Sequence, residues 1–505
     1  MISAKSRDIN LKEVLSYELS TVPYSLVHSD GNLRKTTKSV LLSEMETRVD
    51  VQGTLPVPMQ GMTTAHLIDG MASVQMLKSG GVSTFGELAS KHYSLITAPF
   101  AQKGCMRVDV IMDQYRSMSI KAGERAKRGA STALEIKIQS PATPIPKQWA
   151  KYIANPQNKT NLCAFLSETW CDMAQVKLKL GQQIVLAGGF RDGQKAFLVI
   201  KGHCEELAPL RSDHEEADTR LLLHAKHASH DHKRIIIQSP DTDVAVLCAT
   251  HFNSLACQQL WFRTGVKDKL RYIPMHNLAA ELGPQLCDTL PAFHALTGCD
   301  SNSSLCGIGK KKAFNTICAS ELHQESVSQL GKDTTMSEDT ISGCEAFVCS
   351  LYTKTTQAGS KADDVRYWLF CQRGQKSEVL PPTSDSLLQH LKRSNYQTVV
   401  WRRALDARQD LPTPEQHGWS ISDGALQPVL MTKEPAPRGL VELTACRCKK
   451  SACRRAACSC RANGLACTEA CACMANESCQ NQNTMLQDQV DGHNVEDEDD
   501  EDDYI

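Results

Sequence analysis

No run of apolar residues approaches the ~18 that a membrane span requires, and no basic, apolar and cleavage-site pattern of an export leader opens the chain. A Walker loop, a Gly-x-Ser-x-Gly elbow and a His-Glu-x-x-His pair are also missing, which sets aside several common nucleotide, ester and zinc hydrolase signatures. No tandem repeat of fixed period is present. Net charge is almost absent: 56 Lys and Arg stand against 57 Asp and Glu in 505 residues, a balance of −1. The balance hides one asymmetry. Glu496 to Asp503 is an unbroken acidic run, the signature of a solvated tail, which leaves the rest of the chain mildly basic.

What is present is an ordinary globular composition, with 41% hydrophobic and 22% charged residues and length enough for two or three domains. The 22 cysteines fall into two groups. Thirteen are scattered between Cys105 and Cys371, many in apolar stretches such as Val246-Leu247-Cys248, and read as buried, reduced thiols. The other nine crowd between Cys446 and Cys479. Together these features predict a reducing compartment, the nucleus with the cytoplasm as second choice, and no membrane partner. His214, His224, His227, His230 and His232 lie close in sequence and are expected on the surface.

Short apolar runs end at acids. His66-Leu67-Ile68 runs into Asp69, Val108 to Met112 into Asp113, and Arg234 to Gln238 reads as a buried strand before Asp241. A leucine-rich helix follows Glu216 and Asp218. Strands alternating with helices predict an α/β fold with a mainly parallel sheet, in which ligands gather at the carboxyl ends of the strands. Asp69, Asp113 and Asp241 then lie on one rim, and Glu216, Asp218, Asp243 and Asp300 add carboxylates, followed by the glycine-rich basic turn Gly307-Ile308-Gly309-Lys310-Lys311-Lys312. Hard cations such as Mg²⁺ or Mn²⁺ take oxygen ligands of this kind, and two such ions can promote phosphodiester hydrolysis.

In sequence order, the blocks His66 to Leu77, Val108 to Arg128, Ser212 to Leu223, Ser239 to Leu247 and Leu296 to Ile317 resemble those of the flap endonuclease/XPG family of PIN-like nucleases. Gly298-Cys299-Asp300 running to Gly307-Ile308-Gly309-Lys310-Lys311-Lys312-Ala313 carries the most specific part. The resemblance implies a PIN-like fold with a helix–two-turn–helix at Gly307 to Ile317. It implies a Mg²⁺ (or Mn²⁺) site of Asp69, Asp113, Glu216, Asp218, Asp241, Asp243 and Asp300, with Glu215 as a spare. It also implies DNA contacts by Gly307, Gly309, Lys310, Lys311 and Lys312, and by a basic arch carrying Lys121, Arg125, Lys127 and Arg128. The chain departs from that family in having 68 residues before Asp69 and Gln75 where a base-stacking aromatic is usual.

Cys446, Cys448, Cys453, Cys458, Cys460, Cys467, Cys471, Cys473 and Cys479 include three Cys-x-Cys pairs. Zinc prefers four thiolates in a tetrahedron, so nine cysteines can serve three ions only if some sulfurs are shared. The pattern resembles the tesmin-type CXC domain, which implies three Zn²⁺ and DNA binding, although Ala457 stands where that family commonly has a groove-inserting tyrosine.

The expected plan is an unassigned region at 1–60, a PIN-like nuclease domain at 61–330, a mixed helical connector at 331–440, a CXC zinc domain at 441–482 and a disordered acidic tail at 483–505. The expected activity is two-metal hydrolysis of DNA, branched or flapped, with RNA as the other candidate substrate. The competing expectation is an inactive nuclease fold that binds nucleic acid or chromatin.

Overall fold

The apolar runs that precede the acids fold as adjacent parallel strands. The computed structural model describes residues 10–77, 79–114, 119–120, 135–355, 360–373, 377–422 and 424–437, and in the cysteine-rich segment 446–448, 452–454, 458–462, 467, 471–474 and 479–481. Lys121, Arg125, Lys127 and Arg128 of the expected arch lie outside these residues, as do Ala457 and the acidic run. The chain divides into two units: residues 33–351 with 388–429, and residues 1–32, 352–387 and 430–505.

The first unit is mixed α/β. Its strands are β1 (Thr64–Asp69), β2 (Cys105–Ile111), β3 (Gln183–Ala187), β4 (Ala196–Ile200), β5 (His203–Glu206), β6 (Arg234–Gln238), β7 (Gln259–Thr264) and β8 (Arg271–Pro274). They form one sheet in the order β5-β4-β3-β2-β1-β6-β7-β8. The central five, β3, β2, β1, β6 and β7, run parallel, while β4, β5 and β8 turn antiparallel at the edges. From β1 the chain builds outward first through β2 and β3 and later through β6 and β7. The strand order therefore reverses between β1 and β6, and the crevice at their carboxyl ends is where such a sheet receives a ligand.

The helices used below are α1 (Ser39–Glu46), α2 (Gly70–Gln75), α3 (Phe85–Ile96), α4 (Pro156–Lys177), α5 (Ala217–Ser229), α6 (Thr242–His251), α7 (Met275–Leu296) and α8 (Lys310–Cys318). α7 is broken at Gly283, ahead of Pro284. Alternation along the strands assigns the two faces of the sheet. Val108 and Val110 of β2 and Ile184 and Leu186 of β3 pack with Phe85 of α3 and Leu166 and Trp170 of α4. Val185 and Ala187 instead join Leu223 of α5. Each large aliphatic or aromatic side chain withdrawn from water in these layers contributes about 1.5–3 kcal/mol.

The α5 face also buries charge. Arg107 grips Asp109 through two bonds of 2.7 and 2.8 Å, and His224 Nδ1 lies 2.7 Å from the same carboxylate. Burial opposes the Asp109 charge, but Arg107 and His224 outweigh it and hold the carboxyl well below its ordinary range. The close register of β1 and β2 depends on Gly70. A Cβ there would stand 2.7 Å from the Ile111 carbonyl oxygen and 2.5 Å from Met112 Sδ, so only glycine lets the end of β1 approach the end of β2.

In the second unit, helices Leu11–Leu15 and Ala362–Arg373 pack together. Arg366 and Glu18 form a buried ion pair at 3.4 Å, and Glu18 also accepts the Thr383 N–H at 2.9 Å. The same unit contains the cysteine-rich segment.

Three of the five clustered histidines depart from the surface expectation. His214, His224 and His232 are buried, because α5 lies flat on the sheet and its flanks face protein rather than solvent. His66, His92, His214 and His224 are pushed down to about 4, and His390 to about 3, chiefly by burial. The unfolded chain protonates histidine near 6.5, whereas these sites resist until pH reaches 3–4. Stability should therefore be complete above pH 6.5 and fall towards pH 4, losing at least about 1.4 kcal/mol per pH unit below the unfolded-state pKa. Urea midpoints at pH 7.5, 6.0 and 5.0 check this, and an unchanged midpoint would contradict it.

Candidate functional site

Backbone hydrogen bonds from three strand ends build the acidic rim. Asp69 closes β1 and caps α2, accepting the Ala72 N–H at 2.9 Å and the Ser239 hydroxyl at 3.0 Å. Ser239 follows β6, so this second bond ties the ends of two neighbouring strands. Ser239 Oγ in turn accepts the Asp241 N–H at 3.1 Å, and Asp241 caps α6 by accepting the Asp243 N–H at 2.9 Å. Across β1, Asp113 accepts the Ala217 N–H at 2.8 Å, and Gln114 N–H is donated to the Glu215 carbonyl at 2.7 Å. Those bonds pin the end of β2 to the start of α5, where Glu216 is the N-cap and Asp218 lies in the first turn. Glu215 is half-buried beside them.

Asp300 arrives from the loop 297–309 between α7 and α8. A carboxylate oxygen from each of Asp218, Asp241 and Asp243 falls within 4.8 Å of the other two. Asp300 joins them through a shared partner: Lys38 Nζ lies 3.0 Å from Asp241, 3.1 Å from Asp243 and 2.9 Å from Asp300. Asp218, Asp241, Asp243 and, through Lys38, Asp300 thus meet on the carboxyl edge of the sheet, with Asp69 tied to Asp241 through Ser239, whereas Glu216 is placed as the N-cap of α5 and is not brought into this group. Lys38 is a residue that sequence reasoning missed, because it sits in a polar stretch without periodicity.

Confining this much negative charge has measurable consequences. Burial, with Asp113 and Asp241 nearby, pushes the Asp69 carboxyl up to about 6 despite its two donated hydrogen bonds. Burial and Asp243 raise Asp241, with Lys38 pulling the other way. Burial works against the Lys38 charge, but Asp243, Asp241 and Asp300 prevail and hold its ammonium well above the ordinary range. The N-termini of α5 and α6 add positive partial charge at Asp218 and Asp243. An all-oxygen donor set of this kind suits a hard divalent cation.

Behind the rim lies a buried relay. His294 Nε2 is 2.8 Å from Asp243 Oδ1, and its Nδ1 is 2.9 Å from Lys310 Nζ. Lys310 also donates to the His294 carbonyl at 2.9 Å and to Thr297 Oγ1 at 2.8 Å. The neutral imidazole therefore donates to Asp243 and accepts from Lys310. Burial, with Lys310 and Lys38 close by, drives His294 far below its usual pKa, and burial lowers Lys310 to about 7. This corrects the expectation that Lys310 touches DNA: its side chain is only 2% exposed, because the first turn of α8 rolls it inward towards α7.

The other members of the basic turn stay outside. Gly307, Gly309, Lys311 and Lys312 are exposed, and Lys311 pairs with Glu44 at 2.7 Å. Gly298 takes φ +108°, and a Cβ there would meet Ser304 at 2.9–3.0 Å, so the loop closes tightly behind Asp300.

The nine C-terminal cysteines form a second cluster, whose apolar packing among the described residues consists of cysteine side chains. Sulfur separations are 3.7 Å for Cys446–Cys453, 3.8 Å for Cys446–Cys473, 3.5 Å for Cys460–Cys471, 3.8 Å for Cys453–Cys467 and 3.9 Å for Cys473–Cys479. A disulfide needs about 2.05 Å. A tetrahedral ion with bonds of about 2.3 Å sets its sulfurs about 3.8 Å apart, and the observed spacing matches that. Three quartets can each hold an ion: Cys446, Cys460, Cys467 and Cys471; Cys446, Cys453, Cys467 and Cys473; and Cys446, Cys448, Cys453 and Cys458. Cys446 recurs in all three quartets and Cys453 and Cys467 in two, while Cys479 belongs to none of them. Among the scattered thiols most are buried, with Cys204, Cys306, Cys318 and Cys371 more open.

Sharing makes a graded expectation. Cys446→Ser should remove most of the bound metal and unfold the segment, whereas Cys448→Ser should remove no more than one ion. Elemental analysis of the purified variants checks this, and equal losses would contradict it. No protein-family model matches the chain, and no match was found among the curated proteins.

Proposed function

We propose that this chain is a divalent-cation-dependent nuclease with a PIN-like, flap-endonuclease-type core that cuts DNA, and that its cysteine cluster is a zinc-bound CXC module assisting DNA contact. One observation carries the reading: Asp218, Asp241, Asp243 and, through Lys38, Asp300, drawn from distant parts of the sequence, converge where the strand order of a parallel sheet reverses, with Asp69 and Asp113 at the neighbouring strand ends.

Mg²⁺ or Mn²⁺ held by these carboxylates supplies the positive charge that a phosphodiester's attacking and leaving oxygens need. The chain's own residues do the rest. Asp69 and Asp113, fixed by donated backbone N–H groups, hold one side of the site. Asp218, Asp241 and Asp243 hold its centre, with His294 keeping Asp243 in one orientation. Asp300 closes the far side on its tight loop. The exposed backbone of Gly307 and Gly309, with Lys311 and Lys312, offers a non-specific, salt-sensitive seat for a duplex phosphate. In the second cluster, Arg447, Arg454 and Arg461 are exposed or half-exposed among the thiols and are placed to meet phosphate.

Asp241→Ala tests the reading, because Asp241 lies within 4.8 Å of Asp218 and Asp243 and pairs with Lys38. Purified protein with Mg²⁺ or Mn²⁺ should cleave a labelled branched duplex. The variant should lose more activity than the roughly 10–100-fold typical of removing an outer-sphere partner of a metal ligand. Equal cleavage by both proteins would refute the proposal, and binding without cleavage by the native protein would favour an inactive nucleic-acid platform.

A further inference from the structure

The ammonium group of Lys38 lies among three carboxylates: it donates to Asp241 at 3.0 Å and forms ion pairs with Asp243 at 3.1 Å and Asp300 at 2.9 Å. Its side chain is 19% exposed, so little solvent competes for those bonds. The approach is set by the backbone rather than by a wandering side chain. Ser304 N–H is donated to the Arg34 carbonyl at 2.8 Å, Ser304 Oγ to the Lys35 carbonyl at 3.0 Å, and Lys35 Nζ to the Asp300 carbonyl at 2.9 Å. Residues 34–38 are thereby stitched along the loop that presents Asp300, and Lys38 enters the site at the head of α1.

Asp241 and Asp243 belong both to this arrangement and to the group they form with Asp218. A pair of divalent ions would have to share those two acids with Asp300, yet an ammonium already lies at the centre of Asp241, Asp243 and Asp300. We propose that Lys38 is a resident positioning cation that takes one of the two cation positions, so that the acidic site accepts a single divalent ion, centred on Asp218, Asp241 and Asp243. This deepens the nuclease reading and rests on it. It also gives the segment before the first acid a purpose: residues 34–38 complete the site from outside the sheet.

The test counts ions. Mn²⁺ titrations of the full chain, followed by the electron paramagnetic resonance of free Mn²⁺, avoid the cysteine cluster, whose soft thiolates prefer other metals. Asp241→Ala supplies the background. The expected result is one Mn²⁺ above background for the native chain, two for Lys38→Met, and one again for Lys38→Arg, which restores the charge. Lys38→Gln replaces Lys38→Met if circular dichroism shows that the methionine variant is unfolded, and the native count stands as a test in either case. Two ions in the native chain, lost in Asp241→Ala, would overturn the role of Lys38 while leaving the metal-site reading intact. An unchanged count of one in Lys38→Met and Lys38→Gln would also overturn it. No binding above background in any form would overturn the metal-site reading and this inference together.

Discussion

Mutual repulsion of carboxylates is the constraint on which the rest of the first unit depends. Two unit charges 4 Å apart repel by about 4 kcal/mol at the effective dielectric of a protein site. Three such pairs among Asp218, Asp241 and Asp243 would rival the roughly 5–15 kcal/mol that stabilises a whole domain. The fold answers with fixed charge of opposite sign. α5 and α6 both begin at the rim, Asp69 and Asp113 receive backbone N–H groups, and Lys38 pairs with three acids at once. A divalent cation among Asp218, Asp241 and Asp243 would lower that repulsion further.

The sheet determines which acids meet. Parallel strands place their carboxyl ends on one edge, and reversal of strand order opens a crevice there. Gly70 lets β1 close on β2, and Ser239 links β1 to β6. Neither residue is a ligand, yet each sets the spacing between acids that lie far apart in sequence. The Lys310–His294–Asp243 relay works in the same way from beneath: it fixes a carboxylate by spending buried donors on it.

Much of this could be read from the sequence, for identifiable reasons. A strand such as Arg234–Gln238 announces itself as a short aliphatic run, and an acid directly after such a run must lie at the strand's carboxyl end. The α/β alternation follows from the same runs. Lys310 was misread because its neighbours Lys311 and Lys312 are exposed, and a basic triplet carries no mark of which member turns inward. Lys38 left no signal, since its position depends on a loop contact with Ser304 across a large sequence separation. The buried histidines were equally hidden, because burial of a helix flank depends on how α5 meets the sheet. The cysteine segment was the opposite case. Among the described residues its apolar cluster is made of cysteines, and their spacing in the sequence already marked the segment as one that could hold metal.

Crystals soaked in Mn²⁺ and examined by anomalous diffraction would address the convergence of the acids most directly. The expected result is an anomalous peak within about 2.5 Å of carboxylate oxygens from Asp218, Asp241 and Asp243. A map with no peak at the end of the sheet, or one in which these side chains point away from each other, would contradict the existence of a shared cation site.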